Sequence, residues 1–126
     1  MRPTDEALIS AARQAKEKAY APYSHFSVGA AVDGDDGKVY TGCNVENGSY
    51  GLTSCAERNA VFAAVAAGCR KIYSVAVVAD EDYTLPCGAC RQVLAEFSAE
   101  RIILTAKDGR YRVVKATELF PQPFSL

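Results

Sequence analysis

The 126-residue chain lacks an excess of either charge: 14 Lys and Arg face 15 Asp and Glu, a formal net charge of −1. Duplex or long single-stranded nucleic acids usually demand a basic surface, so no nucleic-acid partner is expected and a small-molecule substrate is. Long apolar runs are also missing. Nothing approaches the roughly 18–20 consecutive apolar residues that span a bilayer, and the longest weakly polar stretch, Asn59 to Cys69, is alanine-rich and helical in character. The opening Met1-Arg2-Pro3-Thr4-Asp5-Glu6 holds no apolar signal core. No membrane association and a cytoplasmic location are therefore expected. Internal repeats and low-complexity tracts are absent. Histidine is reduced to His25, which reads as a surface side chain.

Apolar residues make up 49% of the chain, enough for a buried core and too many for a disordered segment. The length suits one domain, residues 1–126. Five cysteines, an odd number, in a reducing compartment favour metal binding or catalysis over disulfides.

Thr4 can cap a helix with Asp5 and Glu6 in its first turn, and Ala7, Leu8, Ala11, Ala12, Ala15 and Ala19 recur at helical spacing. This predicts a helix from 4 to about 20, ended by Pro22. Phe26 to Val32 and Lys38 to Val45 are β-prone and flank the turn-forming Asp33-Gly34-Asp35-Asp36-Gly37, which predicts a hairpin. A loop from Asn47 to Ser54 leads to a second helix, about Cys55 to Ala67, closed by Gly68. Ile72 to Ala79 suits a buried central strand. A third helix is expected from about Cys87 to Ser98 with Val93, Leu94 and Phe97 inward. Strands Ile102 to Thr105 and Tyr111 to Val114 and a helical turn from Thr117 to Leu119 complete the chain. The order predicts an α/β fold: a three-layer sandwich around one mixed sheet.

The chemistry sits in Cys55-Ala56-Glu57-Arg58 and Pro86-Cys87-Gly88-Ala89-Cys90-Arg91-Gln92. Cys87 and Cys90, at i and i+3, share one side of a first helical turn. Cys55 opens another helix, and helix N-termini favour thiolates. Three thiolates make an incomplete tetrahedral zinc site, the form that keeps one position open for water. Glu57, close to the first ligand, supplies a proton-handling group, so hydrolysis by an activated water is expected. Arg58 and Arg91 fall on the ligand faces of their helices and are candidates to donate to the sulfurs and draw charge from the metal. A rival is a closed structural zinc with Cys43 or Cys69 as fourth ligand, in a domain without catalysis. A thioredoxin-like pair is the other reading of Cys87 and Cys90, but no opening βαβ pattern precedes them.

These two motifs, with Ala21-Pro22-Tyr23-Ser24, Phe26, Gly42-Cys43-Asn44-Val45-Glu46-Asn47 and the segment Pro121 to Phe124, resemble the zinc-dependent cytidine deaminases of the small homotetrameric nucleoside type. The resemblance covers nearly the whole chain. It implies a five-stranded mixed sheet, one zinc per chain on Cys55, Cys87 and Cys90, and Glu57 as proton shuttle. It implies hydrolytic deamination of cytidine and 2′-deoxycytidine. Asn44 and Glu46 would bind the ribose 3′-hydroxyl, an amide and carboxylate pair that favours a free nucleoside over a nucleotide. Phe26 would pack on the base, with Ala56 a further substrate contact. Tyr50 and Phe124 would reach across subunits of a homotetramer. With Cys55 rather than His as first ligand, substrates of the tRNA adenosine and guanine deaminase relatives are not expected. Deaminases of the blasticidin S type, or of N4-substituted cytidines, are the nearest enzymatic alternatives, and Glu46 argues against the first. Gly48 stands where the family often has Ala, which is expected to loosen that loop.

Overall fold

The structure, a computed structural model, describes residues 2–126. Helix α1 (Asp5–Lys16) starts as the sequence predicts: the Thr4 hydroxyl accepts from the Ala7 N–H at 3.1 Å. It ends earlier than expected and Pro22 does not stop it. The chain instead leaves the helix so that Tyr20 can pair with the 44–46 segment, donating to the Asn44 carbonyl and accepting from the Glu46 N–H.

Strands β1 (Val28–Gly34) and β2 (Val39–Cys43) form the antiparallel hairpin. Both strands stop short of Phe26 and Asn44 for one reason. The Asn44 N–H still donates to the Val28 carbonyl, but beyond it the Asn44 side chain takes over from the backbone, accepting from the Val28 N–H at 2.9 Å and donating to the Phe26 carbonyl at 2.8 Å. Such side-chain bonds compete directly with backbone pairing. The other end of β1 runs on to Gly34. There the buried Asp33 accepts from the Ser74 N–H at 2.6 Å and from Arg2 Nε at 3.2 Å, beside a shift in register against the next strand.

Helix α2 (Ala56–Ala66) follows a short 3₁₀ turn at Tyr50–Leu52. Its exit needs Gly68, whose φ of 109° lies in the left-handed region. Strand β3 (Ile72–Ala79), helix α3 (Gly88–Glu96), strands β4 (Arg101–Thr105) and β5 (Tyr111–Lys115) and the short helix α4 (Ala116–Leu119) complete the fold. The sheet order is β2-β1-β3-β4-β5, and only β3 and β4 are parallel.

Alternation along the strands sends side chains to two faces. Ala31, Ala76, Val78 and Ile103 pack beneath Leu8, Ile9 and Ala12 of α1. Val32, Val75, Val77 and Leu104 face Ala60, Val61 and Ala64 of α2 and Leu94 of α3. The result is three layers around one mixed sheet. Of the residues expected inward on α3, Leu94 is fully buried while Val93 and Phe97 are half-buried at its margin. Helices α2 and α3 thus lie side by side on one face. Their N-termini carry the cysteines near the carboxyl end of β3, where open α/β sheets place their ligands.

Candidate metal centre and substrate cleft

Cys55 is the N-cap of α2 and Cys87 the N-cap of α3, and neither side chain caps its own helix. Cys90, one turn into α3, is fully buried. The three sulfur atoms lie within 4.8 Å of one another, with Cys55 Sγ to Cys87 Sγ at 3.7 Å and Cys87 Sγ to Cys90 Sγ at 3.5 Å. Three corners of a tetrahedron with 2.3 Å zinc–sulfur bonds would stand about 3.8 Å apart. The donors therefore fit one zinc ion in both chemistry and spacing. Neither Cys43 nor Cys69 belongs to this group. Cys43 Sγ contacts the Lys18 carbonyl at 3.5 Å, and Cys69 is buried beside Gly34, where burial pushes its thiol up. The residues proposed to close a structural four-cysteine site are thus used elsewhere.

Arg58 Nη2 donates to Cys55 Sγ at 3.3 Å, while its Nε is buried with no hydrogen-bond partner among the described residues. Hydrogen bonding from Cys90, then from Arg58 and Cys87, pulls the Cys55 thiol well below its ordinary range. Cys90 moves the opposite way, through the proton it shares with Cys55 and through burial. The cluster thus stabilises a first thiolate strongly and resists further charge unless a cation enters. Glu57, in the first turn of α2, is only 5% exposed. Burial pushes its carboxyl up to about 7, and the nearby Cys55 adds to the rise.

Arg91 is a correction to the sequence reading. It does not reach a sulfur. Its Nε donates to the Pro86 carbonyl at 2.8 Å and its Nη1 to the Leu119 carbonyl at 3.0 Å, tying the buried residue before Cys87 to α4. A carbonyl supplied by a distant segment outcompetes the sulfur that helical spacing alone suggested. Neighbouring Gln92 clips the tail, accepting from the Phe124 N–H at 3.2 Å and donating to its carbonyl at 3.0 Å. The Phe124 side chain is 70% exposed.

Asn44 and Glu46 lie just beyond β2, where bridges of Val45 to Tyr20 and Ser54 keep the chain extended. Asn44 is buried and holds Phe26 and Val28. Glu46 accepts from the Tyr23 N–H at 2.9 Å, the Ser24 N–H at 3.1 Å and the Ser24 hydroxyl. These bonds, the Ser24 hydroxyl foremost, hold its carboxyl below the usual range. Phe26 is half-buried against the α2 face of the core, and Ala56 is wholly buried at the start of α2. Tyr50 is exposed and meets Tyr23 edge to face, with ring centroids 6.2 Å apart. The Gly48 loop is internally bonded: the Thr53 hydroxyl accepts from the Asn47 N–H and Asn47 Oδ1 from the Ser49 N–H. His25 is exposed, as expected.

Asn59 was not singled out in the sequence. Its Nδ2 donates to the Cys43 carbonyl at 2.7 Å and its Oδ1 accepts from the Ser54 hydroxyl at 2.8 Å, joining α2 to the end of β2. Its position one helical turn after Cys55, on the same helix face, was the available signal.

The family model for the cytidine and deoxycytidylate deaminase zinc-binding region matches residues 2–106. A cytidine deaminase of Sporosarcina psychrophila is 48% identical over 123 residues, covering 95% of this chain and 90% of that protein. The crystal structure of a cytidine deaminase from Burkholderia pseudomallei superposes with a TM-score of 0.91 at 52% identity, over 97% of this chain and all of that one. The structure of the Mycobacterium tuberculosis cytidine deaminase gives 0.84 at 42% identity, over 98% of this chain and 100% of that one. A match over most of the chain, close relatives at nearly full length and a fold with three thiols gathered for one metal ion agree: the chain belongs to the cytidine and deoxycytidylate deaminase family of zinc enzymes.

Proposed function

We propose that the protein, as a single domain of residues 1–126, hydrolyses cytidine and 2′-deoxycytidine to uridine and 2′-deoxyuridine with release of ammonia. The observation that carries this reading is the buried Glu57 set two residues from the first of three clustered thiols. Cys55, Cys87 and Cys90 would hold zinc, with Arg58 drawing negative charge from the Cys55 sulfur. Zinc, when bound, supplies a Lewis acid that lowers the pKa of water.

Glu57 accepts a proton from the attacking water and delivers one to N3 of the base, which makes C4 electrophilic. The water oxygen adds at C4. Glu57 then passes the second proton to the departing amine, and the C4–N bond breaks to release ammonia. Burial around Glu57 suits this work, because it brings the carboxyl near neutrality, where it can both take and give a proton. Phe26 packs on the base beside Ala56, while Asn44 and Glu46 receive the sugar 3′-hydroxyl. The exposure of Tyr20, Tyr23, Tyr50, Leu52 and Phe124 supports a homotetramer in which Tyr50 and Phe124 serve a neighbour's site, since monomers rarely leave so much apolar surface open. A cytoplasmic location completes the reading.

A substrate panel tests it: cytidine, deoxycytidine, cytosine, the monophosphate, adenosine and blasticidin S, followed by ultraviolet absorbance with and without a chelator. Turnover of the two cytosine nucleosides, abolished by chelation, is expected. Activity confined to the free base or to a phosphate ester contradicts the proposal. In the same preparation light scattering should report four times the 13.5 kDa chain mass; a fully active monomer contradicts the shared site.

A further inference from the structure

The turn Ala21-Pro22-Tyr23-Ser24 has no part in the chemistry assigned so far, yet it grips the residue read as the sugar contact. Glu46 Oε1 accepts from the Tyr23 and Ser24 N–H groups at 2.9 and 3.1 Å, and Oε2 accepts from the Ser24 hydroxyl. A carboxylate offers about four acceptor directions. The turn occupies three, which leaves a single direction, on Oε2, for one hydroxyl of a ligand. The Ser24 oxygen also accepts from the Phe26 N–H at 3.0 Å. That bond spans His25, whose φ of 57° lies in the left-handed region, uncommon for a side chain other than glycine. Asn44 completes the ring by holding the Phe26 carbonyl and the Val28 N–H. Among the described residues, Ser24 alone has a side chain hydrogen-bonded to both Glu46 and Phe26.

We propose that Ser24 is a positioning residue for nucleoside recognition: its hydroxyl aims the free acceptor direction of Glu46 at a sugar hydroxyl and fixes the backbone that presents Phe26 to the base. This inference rests on the reading of Glu46 and Phe26 as substrate contacts. Alanine at this position removes the donor to Oε2 and the acceptor for the Phe26 N–H together. The carboxylate then has two open directions on Oε2 and no side chain to orient it. Threonine keeps the hydroxyl.

The test compares zinc-loaded wild type, Ser24→Ala and Ser24→Thr on cytidine and 3′-deoxycytidine. Hydrogen bonds to charged groups correspond to changes of about 10-fold or more in affinity. Ser24→Ala should raise KM for cytidine by about that factor with kcat little changed, the mark of lost uniform binding. KM for 3′-deoxycytidine should rise less, so the preference for the 3′-hydroxyl shrinks, and Ser24→Thr should restore it. An unchanged preference in Ser24→Ala overturns the proposal. So does an equal loss on both substrates that threonine does not repair, since that marks a purely structural role. If Ser24→Ala does not fold, Ser24→Cys, a weak donor of similar size, is read by the same criteria. A wild type without cytidine turnover overturns the reading of the site and this inference with it, and the wild-type arm alone reveals that case.

Discussion

Glu57, the proposed proton carrier, is held in the fold at a cost in stability. A carboxyl in water titrates near 4.5, and burial pushes this one up to about 7. Between those values the folded chain binds more protons here than the unfolded chain, so this contribution to stability falls as pH rises through the window. Below about 4.5 both states are protonated and no penalty remains. Above 7 the buried carboxylate costs the fold about 3 kcal/mol. Glu57→Gln removes the titration. In chelator-treated protein the variant should be more stable than wild type at pH 8, and the gap should narrow steadily toward pH 5. Urea midpoints across that range measure it; parallel curves for the two proteins would count against a buried, raised carboxyl. Glu57 and the three cysteines were legible in the sequence because helix ends and short spacings are local features. Arg91 was not. Its i+4 spacing from Cys87 suggested the sulfur, but its acceptors are the nearby Pro86 carbonyl and the Leu119 carbonyl, and the second depends on where the C-terminal segment packs.

At the scale of elements, the approach of β2 to α2 sets the distance between the Asn44–Glu46 segment, proposed to receive the sugar, and the helix that opens with Cys55. Gly42 makes that approach possible. A Cβ there would stand 2.4 Å from the Ala60 nitrogen and 2.6 Å from the Ala56 carbonyl oxygen. Both are backbone atoms of α2, so neither can swing aside as a side chain would. Gly42→Ala should therefore destabilise the protein by about 2 kcal/mol or more, within the range for overpacked cores and above. Denaturant unfolding measures this, and a midpoint within error of wild type would show that α2 shifts freely. Element boundaries divided by physical cause. Ile72–Ala79 was predicted to the residue because a fully buried strand announces itself as a continuous apolar run. The Phe26 end of β1 and the Asn44 end of β2 were missed because the Asn44 side chain takes over backbone bonds there. The early end of α1 was missed because it is set by Tyr20 pairing with a segment more than twenty residues away. The three-layer order was legible from the succession of elements, while the strand order was not.

For the whole molecule, the layers bring two helix N-termini and the end of β2 to one side of the sheet. Sulfurs from α2 and α3, a buried acid from α2, and the Asn44–Glu46 segment after β2 converge there, although the sequence spreads them over more than forty residues. The central claim is that this convergence separates holding the metal from moving the proton, with the cysteines doing the first and Glu57 the second. Zinc content and cytidine turnover measured on one sample of Glu57→Gln protein test it directly. One zinc per chain with turnover lowered by at least about 100-fold, the scale of lost acid–base catalysis, is the predicted result. A zinc-loaded variant that deaminates cytidine at the wild-type rate would contradict it.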